Sequence, residues 1–319
     1  MTRQALVADI GGTHARFALA DPASGRLSAP QTFDTGAFAT IEAAIRSYLV
    51  IAREPEIGAA AIAMAGPVEA GHVTLTNGRW SFKPETLQQA LGLARLAVLN
   101  DFEALALSLP EIDTADLVQL GGRPARPDGV RIVLGPGTGF GGATLVPGRP
   151  PRVLPGEIGH ISLPIRGLEE ARIAEGLADA DGHIPVENAI SGPGLAAIYR
   201  QCTKRAPRAG GAPEPADIVE RARTGADPIA VESVGHFITW LGRVAGNAAM
   251  LLRADGGIYI GGGIAPRMLD LLADGRFRHA FESMGRMSGL VRPIPVFVIT
   301  AEAPALLGAA ARLRSAMPE

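Results

Sequence analysis

A chain of 319 residues, 47% of them hydrophobic, is too long for one small core, and 30 basic against 32 acidic side chains leave a net charge of −2, with no broad cationic surface for nucleic acid or anionic lipid. The single cysteine, Cys202, excludes an intramolecular disulfide and a cysteine-rich zinc cluster, and it fits a reducing compartment. The only lysines, Lys83 and Lys204, follow no glycine-rich loop, which excludes both a Walker A lysine and the strand lysine of protein kinases. Small-molecule partners and two lobes are the expectation.

In chain order, residues 5–10 form an apolar run interrupted by Asp9, too short and too acidic for a signal peptide. No run approaches the ~18 apolar residues that span a bilayer, so the protein is expected in the cytoplasm without a membrane partner. Residues 5–10 and 15–20 read as two strands closed by Gly11-Gly12, a hairpin rather than a strand entering a helix. A helix pattern covers 39–52, then an alanine-rich strand 58–65, a strand 96–99 and a helix 101–109 bounded by Pro110. The order then repeats: strand 131–134, glycine loop 135–142, strand 143–146. Helices are predicted over 169–178, 194–202 and 228–252, with a Pro/Gly/Ala-rich surface loop over 205–215. Strand 257–260 runs into Gly261-Gly262-Gly263, with Pro266 in the first turn of the next helix; strand 295–300 and a closing helix 304–314 finish the chain.

The segment Asp9-Ile10-Gly11-Gly12-Thr13 sets a carboxylate at a strand end before two glycines able to adopt positive φ and a hydroxyl. Such a turn either serves geometry alone or presents amides to phosphate, with Thr13 as a donor and Asp9 holding Mg²⁺ directly or through water. The second loop, around Gly137-Thr138-Gly139, has more glycine than a two-strand connection requires, and glycine lets main chain approach a ligand closely. Two such turns, one per lobe, suit the phosphates of one nucleotide. Gly262 and Gly263 suit either a floor for adenosine or tight strand-to-helix packing.

Asn100 and Asp101 follow a strand and open a helix, which fits an N-cap pair. The carboxyl ends of strands in open α/β sheets also bind ligands, and there Asp101 would take a hydroxyl proton during phosphoryl transfer. In Gly156-Glu157-Ile158-Gly159-His160, Glu157 accepts and His160 donates, a set suited to vicinal hydroxyls. No metal-ligand spacing is evident in the sequence.

Taken together these motifs resemble the ATP-dependent bacterial glucokinases of the hexokinase and actin-like superfamily. The resemblance runs from the Asp9 turn through Thr76-Asn77-Gly78-Arg79-Trp80, Asn100-Asp101-Phe102, Gly137-Thr138-Gly139, the Leu154–His160 segment, Ser191-Gly192-Pro193-Gly194-Leu195 and Gly261-Gly262-Gly263-Ile264 to Leu306-Leu307-Gly308. It implies a two-lobed α/β fold with a duplicated, ribonuclease-H-like mixed-sheet core, residues 1–110 with 301–319 making the small lobe and 111–300 the large one. It also implies Mg-ATP as donor, a homodimer, glucose bound by Asn100, Asp101, Glu157, His160 and Glu187, and Asp101 as base. Glu187 enters only through the resemblance; its local pattern shows no more than a polar residue ahead of a Ser191 helix cap. His14 and Pro136 depart from the usual residues, and the absence of cysteine between His160 and Cys202 separates the chain from zinc-bearing sugar kinases. A kinase for fructose, mannose or an N-acetylated sugar is the nearest alternative. A sugar sensor lacks a DNA-binding helix-turn-helix here, and a filament-forming ATPase needs no polyol ligands.

Overall fold

The computed structural model describes residues 4–53, 56–66, 68–69, 71–75, 78–205 and 213–315. Pro67, the Thr76-Asn77 pair and residues 206–212 of the expected surface loop lie outside the described residues. The chain divides into two compact units, Met1–Thr114 with Arg149–Val153 and Ala301–Glu319, and Ala115–Gly148 with Leu154–Thr300.

In the first unit, β1 (Ala5–Ile10), β2 (His14–Ala20), β3 (Leu27–Asp34), α1 (Ile41–Ile51) and β4 (Ala59–Met64) are followed by a small sheet of β5 (Val68–Glu69), β6 (His72–Thr74) and β7 (Ser81–Phe82). Then come α2 (Pro84–Ala90), β8 (Arg95–Asn100) and α3 (Asp101–Ser108). The main sheet has the order β3-β2-β1-β4-β8. Its first three strands are antiparallel neighbours, and β4 and β8 run parallel to β1. Alternation along β1 and β4 sends Leu6, Ala8, Ile10, Ile62 and Met64 into one core with Ile45, Tyr48 and Leu49 of α1. The opposite face carries small residues, and Ala63 packs there with Ala104 and Ala305.

The second unit contributes β9 (Leu117–Gly121), β10 (Arg131–Pro136), β11 (Phe140–Val146), the last three residues of β12 (Arg152–Gly156), α4 (Gly167–Glu175), α5 (Gly192–Arg205), α6 (Pro215–Thr224) and α7 (Pro228–Leu252). After β13 (Gly257–Ile260) come three short helices, α8 (Leu269–Leu272), α9 (Arg276–Glu282) and α10 (Ser288–Val291), and then β14 (Val296–Ile299). The sheet order β12-β11-β10-β13-β14-β9 repeats the first sheet position for position and adds one antiparallel strand at the end. The 25-residue α7 buries residues on every side, among them Phe237, Trp240 and Leu241, as the spine of this unit's core. Its start is fixed by Asp227, whose side chain accepts from Ile229 N–H and from the Tyr199 hydroxyl at 2.7 Å. Glu170 of α4 forms a two-oxygen pair with Arg243 of α7 and also accepts from Trp240 Nε1. The chain ends in the first unit with α11 (Pro304–Arg314), where Gly308 lies so close to α3 that a Cβ there would overlap the Ala104 carbonyl.

Several elements differ from expectation. The loop 135–142 shrinks to residues 137–139, because β10 extends through Pro136 and β11 begins at Phe140, with Gly135 paired to Gly141 and Leu134 to Gly142. Gly142 is there for packing, since a Cβ would meet the Ile158 side chain at 2.7 Å. Pro266 sits in a 3-10 turn, Ala265–Met268, before the four-residue α8. The strands β3 and β12 escape sequence reading because both are largely exposed and contain proline, so neither alternates.

Candidate active site

In the first unit, parallel pairing aligns Ile10, Met64 and Asn100, so the turn after β1 and the start of α3 stand at one edge of the sheet, the carboxyl edge of its parallel strands. Asn100 caps α3: its side-chain oxygen accepts from Phe102 N–H at 2.9 Å while Glu103 reaches back to Asn100 N–H at 3.0 Å, a complete capping box. Asn100 Nδ2 donates to Gly66 O at 3.4 Å. Asp101 is half-buried as the first helical residue, with Oδ1 accepting from Phe102 N–H at 3.0 Å. The same two residues thus cap α3 and stand at the carboxyl edge of the parallel strands.

Asp9 pairs across the ladder with Arg16, whose guanidinium lies 3.4 Å from Oδ2. Burial pushes the Asp9 carboxyl above its ordinary value, and the Arg16 charge and hydrogen bond oppose that push. Gly11 and Gly12 do not use the positive φ that their chemistry permits. Gly11 N–H donates to His14 O at 2.9 Å and closes the turn, while Thr13 is exposed at its tip. Among the described residues Arg16 is the side chain paired with Asp9, and a carboxylate at a strand end is a donor that fits Mg²⁺ held mostly by water and phosphate oxygens.

In the second unit, Gly137, Thr138 and Gly139 form the turn between β10 and β11, closed by Gly137 N–H to Gly139 O at 2.8 Å. A Cβ at Gly137 would meet open space, which leaves the main chain accessible there. Gly262, at φ +78°, lies against Pro136 O, and Ile264 N–H donates to the same oxygen at 3.3 Å. The two glycine clusters are therefore adjacent, and packing alone accounts for the left-handed Gly262. Glu157 and His160 bracket the 3-10 turn Ile158–His160, with His160 N–H donating to Glu157 O at 3.1 Å; both side chains are exposed.

Glu187, silent in the local pattern, sits in the 3-10 turn Val186–Asn188, and its Oε2 accepts from Phe140 N–H at 2.8 Å. The Ser191 hydroxyl caps α5 by accepting from Gly194 N–H and holds Glu187 O at 2.8 Å. A second grouping that sequence reading missed lies elsewhere: Glu232 and His236, four apart on α7, come together with Glu169 of α4, their donor atoms within 4.8 Å of one another.

A duplicated sheet in which each copy carries a glycine turn after its first strand is the plan of a sugar kinase of the actin-like ATPase fold. A family model described as Glucokinase matches residues 6–316. A glucokinase of Tolumonas auensis is 39% identical over 315 residues, covering 98% of each chain. The crystal structure of a glucokinase from an Antarctic psychrotroph superposes with a TM-score of 0.88 at 36% identity, covering 98% of this chain and 99% of that one. A glucokinase of the ROK family from Streptomyces griseus, solved with glucose and AMPPNP, shares the fold at a TM-score of 0.66 and 23% identity, covering 97% of this chain and 98% of that one. The chain belongs to the glucokinase family, enzymes that phosphorylate glucose with ATP.

Proposed function

We propose that the chain transfers the γ-phosphoryl group of ATP to the 6-hydroxyl of D-glucose with Asp101 as general base. The sugar oxygen forms a bond to γ-phosphorus as the bond to the β,γ-bridging oxygen breaks; ADP leaves, glucose 6-phosphate forms, and the hydroxyl proton passes to the Asp101 carboxylate. Asn100, Asp101, Glu157, His160 and Glu187 hold the sugar. The turns Gly11-Gly12-Thr13 and Gly137-Thr138-Gly139 receive phosphates, and Gly262 and Gly263 receive the adenosine. Mg²⁺, where Asp9 anchors it through water, would draw negative charge from the phosphate oxygens. With two lysines in the whole chain, main-chain amides carry most of the remaining burden of phosphate recognition.

The observation carrying this reading is the family match over residues 6–316, which takes in every residue assigned a role. Capping of α3 by Asn100 and Glu103 supports it further, because it fixes the Asp101 backbone at the carboxyl edge of the parallel strands. The same reading makes the enzyme a cytoplasmic homodimer with a small lobe of residues 1–110 and 301–319 and a large lobe of 111–300. Among the described residues no helix is long and apolar enough to cross a membrane. ADP release measured across glucose, fructose, mannose and N-acetylated hexosamines tests the substrate: glucose is expected to give the highest kcat/KM, and a tenfold preference for any other hexose would overturn the assignment.

A further inference from the structure

We propose that Glu187 is a positioning residue for the nucleotide turn as well as a sugar ligand, so that sugar and ATP bind cooperatively through one carboxylate. The inference rests on the proposed function, which gives Glu187 to the sugar and Gly137-Thr138-Gly139 to the phosphates. The contacts are mutual. Glu187 Oε2 takes the N–H of Phe140, the first residue after the turn. A Cβ on Gly139 would overlap that same Oε2, so the glycine leaves the room that the carboxylate fills. A Cβ on Gly159, between Glu157 and His160, would overlap Phe140 O and come within 3.5 Å of Glu187 Cβ. Gly192 N–H, at the start of α5, donates to Gly137 O at 2.8 Å, and Ser191 ties that same start to Glu187 O.

The turn is thus held from behind by the segment that carries Glu187. A carboxylate has about four acceptor sites over two oxygens, so Oε2 can keep Phe140 while Oε1 accepts from a sugar hydroxyl. A hydroxyl on Oε1 orders the carboxylate, the ordered carboxylate orders Phe140 and the turn, and a nucleotide then meets amides already in place. Linkage requires the reverse effect of equal size: nucleotide in the turn tightens sugar binding by the same factor.

Calorimetry with glucose and the non-hydrolysable analogue AMPPNP, each alone and in the presence of the other, tests this on the full-length protein. In the wild type each ligand is expected to tighten the other about fivefold or more. Glu187→Ala leaves the Phe140 N–H without its acceptor, and AMPPNP affinity measured without sugar should fall about tenfold. Glu187→Gln keeps an amide oxygen for Phe140 N–H and should return AMPPNP affinity to within about threefold of wild type, a rescue that general loss of the sugar site would not produce. Gly139→Ala, a change in the nucleotide turn, should weaken glucose binding in the absence of nucleotide by displacing the carboxylate. Wild-type AMPPNP affinity in Glu187→Ala, or wild-type glucose affinity in Gly139→Ala, would overturn the proposal. Gly137→Val separates it from the reading beneath, because its side chain enters open space and should obstruct nucleotide only. Weakened AMPPNP binding there beside an unaffected Glu187→Ala would remove the coupling and leave the nucleotide turn; unchanged AMPPNP binding would remove both.

Discussion

Asp101 opens α3 and is the base in the proposed function, and the chemical demands of the two differ. As the first residue of α3 it needs only a helical backbone and an acceptor for Phe102 N–H, and Asn100 with Glu103 already completes the cap. As a base it needs a carboxylate that can take a proton. Asp101→Asn separates the two, since an amide oxygen still accepts but cannot act as the base. We expect kcat to fall on the order of 10²-fold or more with glucose affinity and melting temperature close to wild type. A steady-state assay with direct glucose titration checks this, and near-normal turnover would reject Asp101 as the base. Asn100 and Asp101 are legible in the sequence because a strand-to-helix junction announces itself through hydrophobic pattern and cap chemistry. Glu187 is not, because a 3-10 turn of three residues has no period to read and its partner Phe140 lies 47 positions away.

At the scale of elements, α3 holds Asp101 in place because α11 lies against it, and the approach depends on small residues. Ala63, Ala104 and Ala305 form the seam, and Gly308 admits the Ala104 carbonyl where any side chain would collide. Arg314 fastens the far end of α11 through Glu111 at 2.7 Å and the Ser24 carbonyl at 2.8 Å. A valine at Gly308 must push α11 away from α3 or tilt both. Gly308→Val is expected to cost about 1–3 kcal/mol of stability in denaturant unfolding and to lower kcat at saturating substrates, since the residue that moves is the proposed base. Unchanged stability and turnover would show that the seam has slack. The sequence foretells α11 and α7 to the residue, because each begins at a proline and its helical pattern runs unbroken. It misses β3, β9, β12 and the three strands of the small sheet, where short or exposed segments lack alternation, and the helices α2, α6 and α9.

At the scale of the molecule, the two sheets share one topology, and only its first hairpin is visible in the sequence as strand, glycine turn and strand. The parallel strands of the second copy arrive late, β13 beginning 111 residues after β11 ends at Val146, since α4 through α7 intervene. Local pattern cannot assign partners over that distance, and register along the buried β13 is set by pairing with β10 and β14. The proposed sugar ligands come from both copies: Asn100 and Asp101 from the first unit, Glu157, His160 and Glu187 from the second. A ligand stabilises whatever must open to release it, by about 2.7 kcal/mol at a hundred times its dissociation constant, or roughly 100-fold in the exchange rate of amides exposed by that opening. Glucose should therefore slow hydrogen exchange in the first turns of α3 and, in the second unit, at Phe140 and the amides following His160 and Glu187. Mass spectrometry of peptides from 100–108, 137–146, 157–165 and 186–196 reads the two units separately. Protection confined to one unit would break the ligand set apart, leaving Asp101 either without a sugar to deprotonate or as that sugar's only carboxylate.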